Sequence, residues 1–327
     1  PPLVKAIGEA LEREEQALLF LNRRGYAPLT LCRNCGFRYQ CPNCSAWLVE
    51  HRFTRRLACH HCGHEEPAPQ ACTECGEPDC LVACGPGVER IADEVAERLP
   101  QARVFVATSD TLNSPGRAAE FIAAVEAREI DVIVGTQLVT KGFHFPELTL
   151  VGVVDADLGL ANGDPRAAER TFQLLSQVTG RAGRGDVEGE VYGQSFTPFH
   201  PSIQYARRHD FIGFYEQEIE FRQELRYPPI SRVALLTLRG RSEDRVKFFA
   251  DHLRKEMDEL AGELGDVVVA GPAPAPLLRA ENFYRYQVMM RTPQMSALSR
   301  KLSAKREALQ IPDDIRLIID IDPMTLS

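Results

Sequence analysis

The chain has 327 residues, 44% hydrophobic and 26% charged, the balance of a soluble globular protein with room for two or three cores. Its net charge of −8 gives no global attraction to nucleic acid, so any such binding must use a local basic surface. It has no signal peptide and no long uncharged apolar run, which argues against secretion or membrane insertion and sets a cytoplasmic expectation.

The opening "PPLVKAIGEALERE" reads as a helix of an already folded unit, which predicts a piece of a longer protein. From Ala17, apolar runs at 17–21, 81–84, 104–108, 131–135 and 149–157 read as buried parallel strands. Between them, 87–99 and 114–127 read as helices, the second with Ser114 as N-cap and Pro115 at the first helical position. Alternating strands and helices predict a doubly wound α/β sheet. One long helix is predicted over 202–226, stopping at Pro228-Pro229. After it come strand 232–239, helix 243–264, strands 266–270 and 284–291, helix 294–309 and strand 315–321. This βαββαβ order predicts a separate ferredoxin-like α+β domain, with "AGPAPAPLL" (270–278) as a rigid turn between strands.

All ten cysteines fall between Cys32 and Cys84 and interrupt the α/β rhythm. Eight form C-x-x-C pairs: Cys32/Cys35, Cys41/Cys44, Cys59/Cys62 and Cys72/Cys75. Two-residue spacing lets one tight turn aim two thiolates at one ion, and three pairs are followed at once by glycine. Eight soft ligands make two tetrahedral zinc sites, with redox disulfides or an iron–sulfur cluster as the alternatives. The fourteen residues between Cys44 and Cys59 suit a hairpin that closes a ribbon. That reading groups Cys41, Cys44, Cys59 and Cys62 on one ion and Cys32, Cys35, Cys72 and Cys75 on the other. Spacing alone also admits adjacent or crossed pairing. Four thiolates leave no open position for water, so these ions read as structural. His51, His60, His61 and His64 are then neighbours rather than ligands, and Cys80 and Cys84 are small apolar residues in or beside a strand.

"QLLSQVTGRAGRG" (173–185) places Gln177, Arg181 and Arg184 at helical spacing, with glycines loosening the backbone around the arginines. Guanidiniums so presented reach for phosphate, yet the 327 residues contain no G-x-x-x-x-G-K-[ST] loop. Thr136, directly after the strand 131–135, suits a phosphate oxygen at the carboxyl edge of the sheet. The strand end "GVVDAD" mimics a magnesium-binding Walker B strand at Asp155 or Asp157; without a phosphate loop, an ordinary strand end is the preferred reading.

Together, "GTQLVTKGFHFP" and "QVTGRAGR" resemble motifs V and VI of superfamily 2 helicases. "LLFLNRRGYAPLTLCRNCG" with the following C-x-x-C pairs, "RYPPISRVA" (226–234) and "NFYRYQVMMR" (282–291) extend the likeness over essentially the whole chain. They make it similar to the primosomal protein N′ (PriA) family of bacterial replication-restart helicases. The resemblance implies an ATP-dependent 3′→5′ DNA helicase that binds forked and single-stranded DNA. Its implied partners are primosome proteins, the machinery that loads the replicative helicase, and single-stranded DNA-binding protein, with the helicase acting as a monomer. The implied plan is a RecA-like helicase lobe 2 at 1–31 and 81–200 and a zinc-binding insertion at 32–80. A linking helix at 201–227 and an α+β C-terminal domain at 228–327 complete it.

Two structural zinc ions are implied, whereas ATP and Mg2+ require a first lobe that carries the phosphate loop. This chain alone is therefore expected not to hydrolyse ATP. By likeness of motif, Arg181 and Arg184 face the γ-phosphate, with Arg184 as the arginine finger and Gln177 coupling nucleotide to motion. Gly142 transmits nucleotide state and Thr136 touches the DNA backbone. His144 stands where many relatives have a ribose-binding acid, so that contact is not carried over. In the insertion, Arg33, Arg38, Arg52, Arg55 and Arg56 interleave with Tyr39, Trp47 and Phe53, a composition suited to a duplex junction. Of these, Arg52, Arg55 and Arg56 are the DNA-contact candidates, and Trp47 is assigned to the insertion's own small core. Phe283, Tyr284, Arg285 and Tyr286 are expected to meet single-stranded DNA in part, with Tyr284 and Arg285 as the site residues. The competing reading is a non-enzymatic zinc-containing module that recruits DNA or primosome proteins.

Overall fold

In the computed structural model of the chain, the described residues are 2–21, 29–51, 55–59, 61–84, 87–108, 111–140, 145, 147–157, 159–160, 164–183 and 188–325. In chain order the first elements are α1 (Pro2–Glu12), β1 (Gln16–Leu21), β2 (Leu29–Cys32), β3 (Val49–His51), β4 (Arg56–Ala58), β5 (Glu65–Pro67) and β6 (Leu81–Cys84). Next come α2 (Val88–Arg98), β7 (Val104–Ala107), α3 (Pro115–Glu126), β8 (Val132–Gly135), β9 (Leu148–Val154), α4 (Ala167–Thr179) and β10 (Glu190–Gly193). The last are α5 (Pro201–Arg207), α6 (Phe211–Leu225), β11 (Arg232–Gly240), α7 (Glu243–Leu264), β12 (Val268–Ala280), β13 (Phe283–Thr292), α8 (Met295–Ala308) and β14 (Ile315–Ile321). The chain divides into two compact units: Pro1–Ala27 with Gly85–Glu216, and Pro28–Cys84 with Gln217–Ser327.

The first unit is built on a parallel five-stranded sheet ordered β10-β9-β1-β8-β7. Successive strand residues point to opposite faces, and here both faces are covered. Leu18, Phe20, Ile133, Val151 and Val153 pack with Phe121 of α3 and Phe172, Leu175 and Val178 of α4. Ala17, Leu19, Leu21, Val132 and Val134 pack with Leu3 and Ile7 of α1 and Val88 and Val95 of α2. Each such large side chain contributes about 1.5–3 kcal/mol on leaving water. Gln16 is buried, but its Nε2 donates to the carbonyls of Val125 (3.0 Å) and Ile130 (2.7 Å), pinning the turn after α3. Ser114 caps α3 as expected, accepting from the Arg117 N–H, with Pro115 at its first position.

The expected long helix over 202–226 is two helices. His209 adopts a left-handed φ of 53°, and Asp210 Oδ1 accepts the Gly213 N–H at 2.8 Å. A short carboxylate able to cap a new helix start ends α5 and begins α6.

In the second unit, β12-β13-β11-β14 form an antiparallel sheet. Val246, Ala250, Leu253 and Met257 of α7 and Met295, Leu298 and Leu302 of α8 cover one face, against Leu236, Leu238, Val288, Met290 and Leu317. The Pro-rich 270–278 stretch is not a turn between strands. It runs inside β12, with register breaks between Ala270 and Ala273 and between Pro274 and Arg279. β12 is an edge strand, the position where proline's missing N–H does least harm to a sheet.

The same unit carries the cysteine-rich module: a two-stranded ribbon β2-β6 and a three-stranded meander β3-β4-β5. The 81–84 run was expected as a strand of the parallel sheet. It pairs antiparallel with β2 instead, Cys32 opposite Leu81, so the strands entering and leaving the module close on each other. A four-residue apolar run cannot declare its partner, and the thiols at its foot fix it here. The stretch between Cys44 and Cys59 contains the expected hairpin, β3 paired with β4.

Candidate functional site

Two groups of thiols form: Cys32, Cys35, Cys72 and Cys75, and separately Cys41, Cys44, Cys59 and Cys62. Within each group every sulfur lies within 4.8 Å of the others. Cys32–Cys75 and Cys35–Cys72 are 3.7 Å apart, and Cys41–Cys62 are 3.6 Å apart. A tetrahedron with Zn–S bonds of ~2.3 Å has edges of ~3.8 Å, so both donor sets fit a zinc ion in size and chemistry. The grouping is nested, the outer knuckles sharing one site and the inner knuckles the other.

Without a metal charge, the thiols in each group divide unequally. Backbone N–H donation, first from Cys35, draws the Cys32 thiol down to about 6. At Cys62 burial opposes ionisation, but the His64 backbone and neighbouring thiols outweigh it and hold the thiol at about 7. Cys41, buried beside other sulfurs, is pushed up to about 12.

The module's remaining core is Tyr39, Leu48 and Leu57 with Phe37 and Leu277. Trp47 does not fill that core; it is half-buried, with Arg38 over its ring at 5.7 Å. Tyr39 is buried, its hydroxyl accepting the Thr73 N–H at 3.2 Å, so it offers no stacking face. Arg55 is exposed, Arg56 is paired with Glu65 at 3.0 Å, and Arg52 and Phe53 lie outside the described residues. His64 contacts Glu66 at 3.2 Å and His61 is exposed, neither joining a thiol group. Cys80 is more than a small apolar residue: its sulfur sits 3.3 Å from Cys32 Sγ and 3.0 Å from the Glu77 carbonyl.

In the first unit the motif residues are split between the two edges of the sheet. Thr136 follows β8 at the carboxyl edge. The stretch from Arg181 to Gly183 lies at the amino edge, where the Gly183 N–H donates to the carbonyl of Leu148, the first residue of β9, at 3.0 Å. Seven residues of β9 make these edges about 20 Å apart. Thr136 and Arg181 are therefore too far apart to hold one phosphate between them. The helical spacing from Gln177 to Arg181 also breaks: α4 ends at Thr179, and Gly183 turns left-handed at φ 69°. Gln177 is exposed on the last turn of α4 and Arg181 is half-buried beyond its cap. Arg184, Gly142 and His144 lie outside the described residues. Sequence reasoning missed Gly189, whose missing Cβ leaves room for the backbone of Ala182 and Gly183. Asp157 is a strand-end anchor: it accepts from Ser195 Oγ (2.9 Å), Phe196 N (2.6 Å), Thr197 N (3.2 Å) and Thr197 Oγ1.

Residues 41–67 match the family model described as the PriA DNA helicase Cys-rich region domain, and residues 223–324 match the primosomal protein N C-terminal domain. The replication restart protein PriA of Rickettsia conorii is 43% identical over 98% of this chain and 49% of its own length. Proteins of the same name from Bacillus subtilis and Haemophilus influenzae are 39% and 33% identical, over 98% and 100% of this chain and 40% and 44% of their own lengths. The chain belongs to the PriA family. It spans half or less of these PriA relatives and corresponds to their C-terminal half.

The PriA Cys-rich match encloses the second thiol group, while the first thiol group straddles it. Within the matched C-terminal region, β13 sorts the aromatic–basic stretch by face. Tyr286 joins the core and its hydroxyl contacts Glu243 at 3.2 Å. Tyr284 lies near Arg279, at 5.8 Å. Arg285 alternates onto the face without helices, directly opposite Arg239, which is itself opposite Arg316 of β14. Three arginines thus stand side by side on three neighbouring strands of this PriA sheet. Phe283 shares their face, with Arg239 at 4.2 Å and Arg241 at 5.8 Å from its ring centre. A cavity of about 410 Å³ opens beside them, lined by Thr237, Gln287, Ile318 and Asp320 among others. Arg239 and Arg316 were not singled out from sequence, because cross-strand register has no local signature.

Proposed function

We propose that this chain is the DNA-handling and arginine-bearing half of an ATP-dependent 3′→5′ DNA helicase for replication restart. The observation that carries the reading is identity of up to 43% along 98% of the chain to proteins named for replication restart. The first unit is then a RecA-like second lobe, in keeping with its parallel sheet covered by helices on both faces. The second unit's βαββαβ order and its β12-β13-β11-β14 arrangement suit a ferredoxin-like fold.

In this reading Arg181 and Arg184 form one wall of the nucleotide cleft, and a first lobe supplies the phosphate loop, ATP and Mg2+. A finger guanidinium stabilises charge on the transferred phosphoryl oxygens, a role that Arg184 takes. Gln177 and Gly142 couple nucleotide state to movement, and Thr136, at the opposite sheet edge, contacts the DNA backbone. Keeping DNA and nucleotide on opposite edges of one sheet lets each ligand act on the lobe without competing for space.

Zinc at the two thiol groups supplies the cross-links that hold the Cys-rich module together. The cysteines bind it, and Tyr39, Leu48 and Leu57 exclude water around the second group. The row Arg239–Arg285–Arg316 takes phosphates of a single strand and Phe283 stacks a base, the division of labour of single-strand platforms. Arg52, Arg55 and Tyr284 are further DNA contacts. Arg56 joins them only by exchanging Glu65 for a phosphate.

Because the chain holds no phosphate loop, on its own it acts as a binding module for DNA and for the replication-restart partners. Titrating it against single-stranded, forked and duplex oligonucleotides tests the reading. It predicts preference for single-stranded and forked substrates, with affinity falling as salt rises. Binding that is absent, or indifferent to salt, refutes it.

A further inference from the structure

Three of the four Cys-x-x-Cys knuckles close on a left-handed glycine. Gly36, Gly63 and Gly76 have φ of 77°, 70° and 75°. Their N–H groups return to the carbonyls of Cys32 (2.9 Å), Cys59 (3.0 Å) and Cys72 (2.9 Å). This turn brings the next backbone N–H onto the knuckle's second sulfur: Phe37 bonds Cys35, and His64 bonds Cys62. The fourth knuckle, Cys41-Pro42-Asn43-Cys44, is followed by Ser45, which adopts no left-handed turn.

The donor that this knuckle lacks comes from more than two hundred residues away. Glu281 N–H donates to Cys44 Sγ at 3.4 Å. Glu281 and Asn282 form the two-residue turn between β12 and β13, both left-handed at φ 52° and 66°. Around that contact the turn grips the whole knuckle. Asn282 N–H donates to the Asn43 carbonyl at 2.7 Å, and Asn282 Nδ2 to Asn43 Oδ1 at 3.2 Å. Ser45 N–H donates to the Arg279 carbonyl at 2.8 Å, and Arg279 N–H to Ser45 Oγ at 3.0 Å. The Arg279 guanidinium reaches the carbonyls of Cys41 and Cys44, both at 3.4 Å. Leu277, two residues earlier, packs into the hydrophobic cluster of the module.

We propose that the hairpin tip Arg279–Asn282 is an integral outer part of the second zinc site, standing in for the glycine turn its knuckle lacks. Zinc binding at Cys41, Cys44, Cys59 and Cys62 and docking of the C-terminal hairpin on the Cys-rich module are then one coupled equilibrium. Groups that orient metal ligands from outside change affinity about 10–100-fold when removed. Coupling is reciprocal, so losing the zinc must loosen the hairpin by as much as losing the hairpin loosens the zinc. The hairpin also carries Arg285, whose guanidinium donates to the Leu277 carbonyl at 3.0 and 2.6 Å. Zinc at the second site thereby steadies one arginine of the row. That consequence rests on reading the row as a nucleic-acid surface; the coupling itself does not.

The test uses the full chain loaded with zinc. Arg279→Ala removes the guanidinium from the two knuckle carbonyls. Asn282→Gly keeps the left-handed turn and removes only the side-chain bond to Asn43. In each variant, one of the two zinc ions should pass to a chromophoric chelator about tenfold faster than in wild type, with the other unchanged. Conversely, Cys62→Ser should speed amide hydrogen exchange at Glu281 and Asn282, while Cys75→Ser, in the first site, should not. Wild-type release of both ions in both variants, or tip amides equally protected in Cys62→Ser, overturns the coupling. Unchanged single-strand affinity in Cys62→Ser, alongside the expected release and exchange, would refute the nucleic-acid reading of the row and leave the coupling standing.

Discussion

Replacing Arg316 by threonine separates stability from function on the open sheet face. Arg316 stands opposite Arg239, which stands opposite Arg285. Neither Arg239 nor Arg316 pairs with a carboxylate among the described residues. Like charges directly across a sheet oppose folding by roughly 0.2–1 kcal/mol per pair. Threonine removes one such pair and suits a strand, so Arg316→Thr should stabilise the second unit by about 0.5 kcal/mol. On the proposed reading of this face, the same change removes one phosphate contact. For a single strand, the slope of log affinity against log salt should shrink by about 0.7, and affinity at ~0.1 M salt should fall about fivefold. Anisotropy of a labelled oligonucleotide across a salt series measures the slope, and urea unfolding measures the stability. An unchanged affinity and slope would refute the assignment of this face to phosphate. A variant less stable than wild type would refute the claim that the row is held against its own repulsion.

Three further outcomes follow from the geometry. A reduced preparation should hold about two zinc ions per chain, and stripping them should change the emission of Trp47, the only tryptophan, which stands three residues from Cys44; about one ion or fewer contradicts the two-site account. At Asp157, burial works to raise the carboxyl, but the hydroxyls of Thr197 and Ser195 and the backbone N–H groups of Phe196 and Thr197 outweigh it and hold it below its usual range. A depressed carboxyl contributes stability that is full above its unfolded value of about 4 and lost as pH falls through its folded value. Asp157→Asn should therefore cost about 2 kcal/mol near neutral pH, with the gap from wild type closing in acid; a gap independent of pH contradicts the anchoring role. Gly189→Ala places a methyl group against the backbone of Ala182 and Gly183. It should displace the arginine segment and lower the ATPase rate of a two-lobed enzyme more than it lowers DNA affinity, as rate and affinity measured together would show.

The β–α alternation, the cap of α3 and the four knuckles were legible because each is written in local chemistry: apolar runs, a Ser-Pro start, paired thiols. The run 81–84 was read as a sheet strand because its pairing with β2 is non-local, with Cys80 at its foot beside Cys32. The break at 208–210 was hidden because Asp210 works as a cap only once the chain turns there. Prolines that suggested a turn lie on an edge strand, a position that only the assembled sheet defines. The same holds for the site. Arg285 was visible as one basic residue among aromatics, but the row that includes Arg239 and Arg316 exists only in cross-strand register. Ser45 in place of a glycine was present in the sequence from the start. Its meaning required Glu281, supplied by a hairpin far along the chain.

The central claim is that the segment around Arg181 and Arg184 is half of a nucleotide cleft. Joining this chain to a first helicase lobe that carries a phosphate loop, and measuring DNA-stimulated ATP hydrolysis with and without Arg184→Ala, tests it directly. The account predicts no hydrolysis by this chain alone, robust hydrolysis by the joined protein, and a loss of about 10³-fold or more in the variant. Equal rates for the joined protein and its Arg184→Ala variant, or ATP hydrolysis by this chain alone, would contradict it.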